Sequence, residues 1–467
     1  MIQLTVAQIA RAVGGRPVGV DPQLLVTGGV VTDSRLAGPG SVFVAVRGER
    51  TDGHEHAAAA VAAGAALVIA ERAVDAPHVL VPDSVIALGE LARHVLSVLR
   101  EEGDLRVVGL TGSVGKTTTK DLLAQVLAQA GPTVAPRASF NNEIGLPLTV
   151  LSATRETRYL VLEMGASGPG HIAYLTRIAP LDVAVVLIVG HAHMGGFGSI
   201  EAVTRAKAEI VAGLRGGGTA VLNADDRRVA SMAADAPGPV VWFGRGADAD
   251  VRAGDVTLDE EARPSFVLET DSSGARTRHP VRLALHGEHQ VSNALAVAGA
   301  ALALGLDAGF VAQALSRAER VSAHRMAVTR RPDGVTVVDD AYNANPDSMA
   351  AALRAVAAMP AARRIAVLGE MLELGEETEP AHVELGRLAA ELGVDIVVAP
   401  GAAGPPVRRG AGANGPQVHT PTDVDAAAAL LDELLQEGDL VLLKGSNGSG
   451  VWRLADRLTR EGGGAEW

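Results

Sequence analysis

A glycine-rich stretch with one lysine and three threonines, TGSVGKTTTK at 111–120, contains the residues whose types and spacing most clearly could do chemistry. It follows an apolar run and precedes a segment of helical spacing. Glycines let successive backbone N–H groups point into one loop, and a helix N-terminus adds partial positive charge, so the stretch predicts a phosphate-binding loop. Lys116 would neutralise the β- and γ-phosphates of ATP or GTP, and the Thr117 hydroxyl would ligate Mg²⁺.

The loop departs from the usual pattern G-x-x-x-x-G-K-[ST], because Leu110 stands where the first glycine is expected and Gly109 comes one residue too early. An ordinary glycine-rich turn between a strand and a helix is therefore the alternative interpretation. The flanking apolar strand and amphipathic helix favour the nucleotide site. The residues expected to bind ATP here are Gly112, Ser113, Val114, Gly115, Lys116, Thr117 and Thr118.

Three more side chains that could act on phosphate come later in the sequence. Glu163 ends the apolar run RYLVLE, His193 lies in GHAHMGGFGS after the next apolar run, and Lys207 lies inside a helical segment. Carboxyl ends of parallel strands meet beside a phosphate loop, so Glu163 and His193 could reach a metal ion bound there. The simpler alternatives are a solvated carboxylate, a structural histidine and a surface lysine paired with Glu201 or Glu209.

The elements that must position these groups fall into three blocks, which we predict to be domains spanning 1–103, 104–317 and 318–467. In the second and third blocks apolar strands alternate with helical segments, which is typical of parallel sheets covered by helices. We therefore predict an α/β protein with a small N-terminal domain, a central phosphate-loop domain and a C-terminal Rossmann-like domain. The Gly/Pro/Ala-rich segment 400–417 is predicted to be a mobile loop.

Composition limits the class of protein. The chain has 467 residues, a formal net charge of -13 and no cysteine. The negative charge argues against binding to nucleic acid or anionic membranes, and the lack of cysteine excludes disulfides and thiolate metal sites. The N-terminus does not resemble a signal peptide, and no apolar run reaches the roughly 20 residues that a bilayer requires. We expect a cytoplasmic protein without a membrane segment.

Several motifs together resemble those of the Mur ligases of peptidoglycan synthesis, and they cover essentially the whole chain in order. They include TGSVGKTTTK, SFNNEIGLPLTVL, LEMGASGPGHI, HAHMGGFGSIEAVTRAKAEI, VDDAYNANPDSM and AVLGEMLELGEE. The last two are the most specific, and they are most similar to members that add D-Ala-D-Ala to UDP-MurNAc-tripeptide. The resemblance implies an ATP-dependent ligase that forms UDP-MurNAc-pentapeptide through an acyl phosphate, releases ADP and phosphate, and serves cell-wall synthesis, cell shape and division.

The resemblance also implies catalytic roles. One Mg²⁺ would bind Thr117, and a second would be held by Glu163, His193 and Lys207, with the lysine carbamylated. An ammonium with a pKa of roughly 10.4 repels a cation, whereas its carbamate supplies an anionic oxygen. Arg325 would reach from the third block to the γ-phosphate. The implied catalytic residues are Lys116, Glu163, His193, Lys207 and Arg325.

Other roles implied by the resemblance concern the ligands. Asn293 would face the base or ribose of ATP, and Asp340 would accept the ribose hydroxyls. The parts of the two substrates are assigned as follows: Asn141 and Asn142 to the muramyl or diphosphate part, Ser34, Arg35, Asp52, Gly53 and His54 to the UDP end, and Tyr342, Asn343 and Asn345 to the dipeptide. From the residues alone, Asn345 before Pro346 is also a helix N-cap.

Some alternatives stay open. His191 could compete with His193 as the metal ligand. Another amino-acid-adding Mur ligase or a folylpolyglutamate synthase would share the phosphate loop, although the former usually carries Asn-Pro-Arg where this chain has NANPDSM. A nucleotide-switched binding protein would not need Glu163, His193 and Lys207 to converge.

Catalysis should also require motion between blocks. Arg325 and Asp340 lie in a different block from the phosphate loop, so we expect the third block to swing onto the second, with a hinge between about Leu315 and His324. A structure without ligands could therefore hold these residues too far from the loop to act. We expect a monomer.

Overall fold

The computed structural model describes residues 1–48, 51–136, 139–190, 194–272 and 275–460. Its sheets follow one another along the chain in the order of the three blocks, and helices connect and cover their strands. The predicted α/β fold class is therefore confirmed. The proposed domain boundaries at 103 and 317 stay predictions.

The first block contains a mostly parallel sheet and a separate antiparallel pair, β1–β3. The sheet order is β2-β7-β6-β5-β4, with β2 antiparallel to β7 and the other neighbours parallel. Its elements are β1 (Leu4–Thr5), α1 (Val6–Ala12), β2 (Arg16–Val18), β3 (Leu25–Val26), β4 (Val30–Val31), β5 (Val42–Val44), α2 (Ala57–Ala62), β6 (Leu67–Ala70), β7 (His78–Leu80) and α3 (Ser84–Glu102).

Helix α3 connects the first block to the second. Its N-cap is Asp83, whose carboxylate accepts backbone N–H bonds from Val85 and Ile86 at 2.8 Å. A side-chain cap of this kind satisfies N–H groups that have no partner inside the helix. The apolar face predicted from the sequence is buried as expected, and it comprises Leu88, Leu91, Val95 and Leu99.

The second block is built on a long mixed sheet of order β16-β15-β14-β13-β12-β11-β8-β10-β9. Seven neighbouring strands are mutually parallel, namely β9, β10, β8, β11, β12, β13 and β14. Strands β14, β15 and β16 form an antiparallel end of the sheet. The strands are β8 (Arg106–Thr111), β9 (Thr133–Val134), β10 (Tyr159–Glu163), β11 (Leu181–Val186), β12 (Leu214–Asn223), β13 (Val240–Gly244), β14 (Val251–Leu258), β15 (Pro264–Ser272) and β16 (Ala275–Arg282).

Strand β8 lies between β10 and β11: the chain runs from β8 to β9 and β10 on one side of it, and then crosses to β11 on the other side. Such a point in a parallel sheet opens a crevice at the carboxyl ends of the strands, where ligands bind. The phosphate loop follows β8 and therefore lies in this crevice. The helices of the block are α4 (Lys116–Ala128), α5 (Gly145–Leu151), α6 (His171–Ile178), α7 (Met194–Phe197), α8 (Ile200–Ala212), α9 (Arg227–Ser231), α10 (Gln290–Ala303) and α11 (Ala308–Arg317).

The third block has a smaller sheet of order β17-β18-β22-β19-β20-β21, parallel except for the antiparallel edge strand β17. The elements are β17 (Ala327–Arg330), β18 (Thr336–Asp339), α12 (Pro346–Ala357), β19 (Arg363–Leu368), α13 (Thr378–Glu391), β20 (Ile396–Val398), α14 (Gly404–Ala411), β21 (Gln417–His419), α15 (Val424–Leu434), β22 (Asp439–Lys444) and α16 (Val451–Thr459).

The prediction of a mobile loop at 400–417 is wrong, because helix α14 occupies much of that segment and packs against α13. Gly410 in this segment and Gly386 in α13 allow the two helices to pack closely. A Cβ on Gly410 would collide with the carbonyl oxygen of Val383, and one on Gly386 would collide with that of Val407. As for membranes, none of the helices in the described residues combines the length and apolar character that crossing a bilayer needs.

Candidate active site

The phosphate loop joins the last residue of β8, Thr111, to the first residue of α4, Lys116. Gly115 is the N-cap of α4 with φ +82°, a left-handed conformation that glycine adopts without steric cost. Ser113 ties the loop to the segment after β11: its N–H donates to the Ile188 carbonyl at 2.8 Å, and its hydroxyl donates to the Gly190 carbonyl at 3.0 Å. Ser113 thus fixes the loop to the segment that follows β11.

The glycines on either side of Leu110 and Thr111 lie close to residues of the β11 segment. Gly109 lies within β8, where a Cβ would come 2.5 Å from Cδ1 of Leu181. A Cβ on Gly112 would come 2.9 Å from Cβ of Leu187. Gly109 therefore lets Leu181 pack closely on β8, and Gly112 begins the loop itself.

Lys116 points back across the loop, and its ammonium donates to the Gly112 carbonyl at 2.7 Å. Burial lowers the pKa of Lys116, an effect that the negative charge of Glu163 opposes and the positive charge of Arg325 reinforces. The first backbone N–H groups of α4 have no partner within the helix and carry the positive end of its dipole. Cationic and N–H donors for phosphate oxygens thus converge at one point.

Glu163, the last residue of β10, is 1% exposed, so the alternative of a solvated strand-end carboxylate is wrong. Its Oε2 accepts from the Thr117 hydroxyl at 3.0 Å, and its Oε1 accepts from the Asn141 amide at 2.8 Å. The Thr117 hydroxyl also lies 3.0 Å from the Ser139 hydroxyl. A carboxylate and two hydroxyls therefore meet beside the phosphate loop, and oxygen ligands of this kind suit a hard cation such as Mg²⁺.

Lys207 lies in helix α8 and is 4% exposed, so the alternative of a surface lysine is wrong as well. Burial, and secondarily the charge of Lys116, hold the pKa of Lys207 well below its ordinary value. His193 and its competitor His191 lie outside the described residues. Within the residues described, no group of three or more His, Asp or Glu side chains is arranged to hold a metal ion.

Arg325 comes from the third block, yet its Nη2 donates to the Thr117 hydroxyl at 3.0 Å. The linker before it is docked on α4: the Ser322 hydroxyl donates to Asp121 Oδ2 at 2.6 Å, and the Gln125 amide donates to the Glu319 carbonyl at 2.8 Å. The third block is therefore closed onto the phosphate loop, in contrast to the separated arrangement that the sequence suggested for a structure without ligands.

The two residues assigned to the nucleoside, Asn293 and Asp340, both line the cavity that contains the loop, and they come from different blocks. Asn293 is 7% exposed and donates to Gln290 Oε1 at 2.8 Å, and its Oδ1 lies against Gly115. The Asp340 carboxylate accepts from the Lys444 ammonium at 2.6 Å and from the Met326 N–H at 3.1 Å.

The site residues predicted from the sequence did not include Ser139, and the family resemblance of KGSNGSGVW points only weakly to Lys444 and Ser446. Burial lowers the pKa of Lys444, an effect that the negative charge of Asp340 opposes. A second signal for Lys444 is its position at the carboxyl end of β22, the strand next to β18, which precedes Asp340. The signal that could have found Ser139 is its place at the start of the motif SFNNEIGLPLTVL, two residues before Asn141.

One cavity of about 780 Å³ unites most of the predicted residues. All three blocks contribute to its lining, including Asp83, Val85 and Ile86 at the start of α3. The predicted residues on its wall are Ser113, Val114, Gly115, Lys116, Thr117, Thr118, Asn141, Asn142, Glu163, Asn293, Arg325, Asp340, Tyr342, Asn343 and Asn345. Asn345 is also the N-cap of α12, where it accepts from the Ser348 N–H at 2.9 Å.

The residues assigned to the UDP end lie outside that wall. Arg35 forms an ion pair with Asp33 at 2.6 Å, with its own side chain 87% exposed, and Ser34 lies beside it in a short 3-10 helix.

Within the stretch 52–54, His54 bonds the Asp52 carboxylate with both its backbone N–H and its ring. The His54 ring is buried, donates from Nδ1 to Asp52 Oδ1 at 2.6 Å and accepts the Glu71 N–H at Nε2 at 2.9 Å. The N–H groups of His54 that bond Asp52 lower the pKa of that carboxyl to about 2. Any contact of the His54 imidazole with substrate would have to break these bonds.

Comparison with known proteins agrees with this architecture. Three family models match in turn: "Mur ligase family, catalytic domain" at residues 27–95, "Mur ligase middle domain" at 110–301 and "Mur ligase, glutamate ligase domain" at 324–447. The UDP-N-acetylmuramoyl-tripeptide–D-alanyl-D-alanine ligase of Mycobacterium tuberculosis H37Rv is 47% identical over 99% of this chain and 98% of its own length. The chain belongs to the Mur ligase family. The corresponding Mur ligase of Escherichia coli K12 is 36% identical over 86% of each chain.

Solved structures of Mur ligases resemble the whole molecule. A crystal structure of MurF from Acinetobacter baumannii has a TM-score of 0.88 and 32% identity, covering 98% of this chain and 99% of that one. MurF from Thermotoga maritima in complex with ADP has a TM-score of 0.78 and 32% identity, covering 92% of this chain and 97% of that one. A diaminopimelate-adding Mur ligase reaches a TM-score of 0.52 at 20% identity, which indicates a shared fold only.

Proposed function

We propose that this Mur ligase joins D-alanyl-D-alanine to UDP-N-acetylmuramoyl-tripeptide, with ATP as the energy source, to give the UDP-linked pentapeptide of peptidoglycan synthesis. The observation that carries the proposal is the likeness to ligases with this named activity across the full length of the chain, at 44–47% identity for the mycobacterial relatives. The cytoplasm is the compartment in which a nucleotide-sugar substrate and ATP would meet. We further propose that the chain acts as a monomer.

The shape of the cavity supports a reaction with three substrates. Its wall combines the phosphate loop with groups from the first and third blocks, so a nucleotide, a UDP-linked acid and an amine could meet in one cavity. A free carboxylate is a poor acyl donor because its leaving group would be oxide. Transfer of the γ-phosphoryl group to one carboxylate oxygen makes phosphate the leaving group, and the dipeptide amine then displaces it to form the amide.

Phosphoryl transfer to an anion depends chiefly on positioning and on neutralising charge. The Lys116 ammonium and the first N–H groups of α4 would hold the β- and γ-phosphates. Arg325, which already reaches Thr117, would add positive charge on the opposite side of the γ-phosphate. Closure of the third block would also exclude water, which would otherwise hydrolyse the acyl phosphate.

The donor set beside the loop fits Mg²⁺, because the Thr117 hydroxyl and the Glu163 carboxylate adjoin each other and are buried. Thr117 would hold one ion, and Glu163, His193 and Lys207 would hold a second. When bound, such ions neutralise the charge of the phosphate oxygens.

Carbamylation of Lys207 is part of this proposal. A buried lysine close to a second cation is disfavoured as an ammonium, and the neutral amine is the form that adds to carbon dioxide. The resulting carbamate is an anion, so the positive charge of Lys116, which opposes an ammonium at this position, would stabilise it.

The remaining ligand assignments follow from the family resemblance and are proposals of the same kind. Asn293 and Asp340 would contact the nucleoside, and Asn141 and Asn142 the muramyl or diphosphate part. Asn343 and Asn345 would contact the dipeptide. The residues proposed for the UDP end are Ser34, Arg35, Asp52, Gly53 and His54, within a substrate-binding domain at 1–103 that precedes an ATP-binding domain at 104–317 and a ligase domain at 318–467.

The experiment that tests the function measures phosphate release by the full chain with ATP, Mg²⁺, UDP-MurNAc-tripeptide and D-Ala-D-Ala. We expect release to require both acceptor and dipeptide, and mass spectrometry to detect the pentapeptide product. Single amino acids replace D-Ala-D-Ala in the control, which separates this activity from that of amino-acid-adding relatives. Phosphate release that is independent of either substrate would contradict the proposal.

A further inference from the structure

Arg325 lies in a backbone segment that is unusual on both sides. His324 has φ 55° and Met326 has φ 50°, in the left-handed region that residues other than glycine adopt only where their surroundings hold them there. Two bonds from the following loop support this geometry: the Tyr342 N–H donates to the His324 carbonyl at 3.3 Å, and the Met326 N–H donates to Asp340 Oδ1 at 3.1 Å. The backbone on each side of Arg325 is therefore held by the loop 340–345.

The side chain of Arg325 is held by the same loop. Its guanidinium carbon lies 4.1 Å from the centroid of the Tyr342 ring, well within the distance of a cation–π contact. Its Nη2 donates to Thr117, and its Nε is buried without a hydrogen-bond partner in the part of the chain that the structure describes. Stacking uses the face of the guanidinium and leaves the in-plane N–H groups available to phosphate oxygens. A carboxylate partner would instead occupy those N–H groups and neutralise the charge.

The loop that carries Tyr342 is itself anchored from the next strand. The Lys444 ammonium, 2% exposed, donates to the Asn343 carbonyl at 3.0 Å and to Asp340 Oδ2 at 2.6 Å. These bonds fix the chain just before and just after Tyr342. The ring is therefore presented to Arg325 by a rigid loop.

We propose that Tyr342 is a positioning residue that aims the Arg325 guanidinium at the γ-phosphate through its ring, instead of the dipeptide-binding residue that the family resemblance suggests. This inference rests on the proposed function, because it assumes that Arg325 reaches the γ-phosphate. It predicts that the ring matters and that the hydroxyl does not.

The test compares the affinities of the full-length protein for ADP and for a non-hydrolysable ATP analogue, with Mg²⁺, by calorimetric titration. Tyr342→Leu should reduce the preference for the analogue by about 2- to 30-fold, the range that a cation–π contact of about 0.5–2 kcal/mol corresponds to at 1.4 kcal/mol per tenfold. Tyr342→Phe should retain most of the preference, because it keeps the ring. ADP lacks the γ-phosphate, so its affinity reports on the rest of the site. If Tyr342→Leu loses ADP binding, Tyr342→Met takes its place.

A double-mutant cycle completes the test. Arg325→Ala should abolish the preference for the analogue, and adding Tyr342→Leu to it should cause no further loss, because residues that act through one another are not additive. Losses that add, or a Tyr342→Phe loss as large as that of Tyr342→Leu, would overturn the inference. So would a raised KM for D-Ala-D-Ala at unchanged analogue preference. An Arg325→Ala variant with normal preference would instead refute the role proposed for Arg325 itself.

Discussion

Replacing Gly115 with alanine tests whether the phosphate loop is fixed by its surroundings. Gly115 has φ +82°, and an L residue in this left-handed region costs about 1–2 kcal/mol. A Cβ there would also collide with Oδ1 of Asn293, so Asn293 would have to leave its hydrogen bond to Gln290. Disrupting a buried amide costs about 1–3 kcal/mol more. The free energy of unfolding should therefore fall by about 2–5 kcal/mol.

Gly170 provides a matched control. It is the N-cap of α6 with φ +84° and ψ -11°, almost the same backbone conformation as Gly115, but a Cβ added there would meet no heavy atom within 4 Å. Gly170→Ala should therefore show the backbone cost alone, about 1–2 kcal/mol. The difference between the two variants isolates the contact between the loop and Asn293.

The assay combines urea unfolding with titration of an ATP analogue. If Asn293 contacts the nucleotide, Gly115→Ala should weaken binding by about 5- to 150-fold, since each 1.4 kcal/mol corresponds to a factor of ten. Gly170→Ala should weaken it by less than about twofold, because Gly170 does not itself line the cavity and an added Cβ meets no neighbouring atom. Equal stabilities and equal affinities for the two variants would refute the steric reasoning.

Three further predictions concern titratable groups. Lys116→Ala should reduce turnover by about 10²–10³-fold, with little change in affinity for the UDP-linked substrate. A large loss of that affinity, measured by titration with the substrate, would contradict the assignment of the UDP end to another block. Lys207→Ala should lose activity, and acetate or formate should partly restore it by replacing the carbamate oxygen; no rescue, and no ¹³C carbamate signal in the wild type, would make Lys207 structural. Burial lowers the pKa of His289 below its ordinary value of 6.5. As the pH falls below 6.5, the unfolded chain therefore binds more protons than the folded one, and stability should fall until the pH reaches the pKa of His289 in the folded state. His289→Gln should flatten that part of the profile of Tm against pH, and an unchanged profile would exclude His289 as the cause of the loss.

Local sequence patterns predicted the parts of the fold that local physics controls. The face of α3 follows from its three-to-four spacing, and the phosphate loop follows from glycines between a strand and a helix. The prediction of a mobile loop at 400–417 is wrong because it takes the glycines of that segment as a sign of flexibility. In the structure Gly386 and Gly410 let α13 and α14 approach closely, and such a contact between helices has no signature in either segment alone.

The sequence predicted which residues belong to the site, but it predicted much less about how those residues are arranged in space. Motifs pointed to Glu163 and Lys207, but the burial of each depends on packing by distant elements. The contact from Arg325 to Thr117 joins two blocks, and the stacking on Tyr342 depends on a loop held by Lys444. Contacts between residues so far apart in the sequence leave no periodic signal, so they needed the structure.

The most direct test of the acyl-phosphate route follows one oxygen atom of the tripeptide carboxylate. If ATP activates the tripeptide carboxylate, an ¹⁸O label placed in that carboxylate must pass to inorganic phosphate when the amide forms. We predict one labelled phosphate oxygen for each pentapeptide formed, provided that both substrate carboxylate oxygens carry the label. Pentapeptide formed with phosphate that contains no label would contradict the acyl-phosphate route.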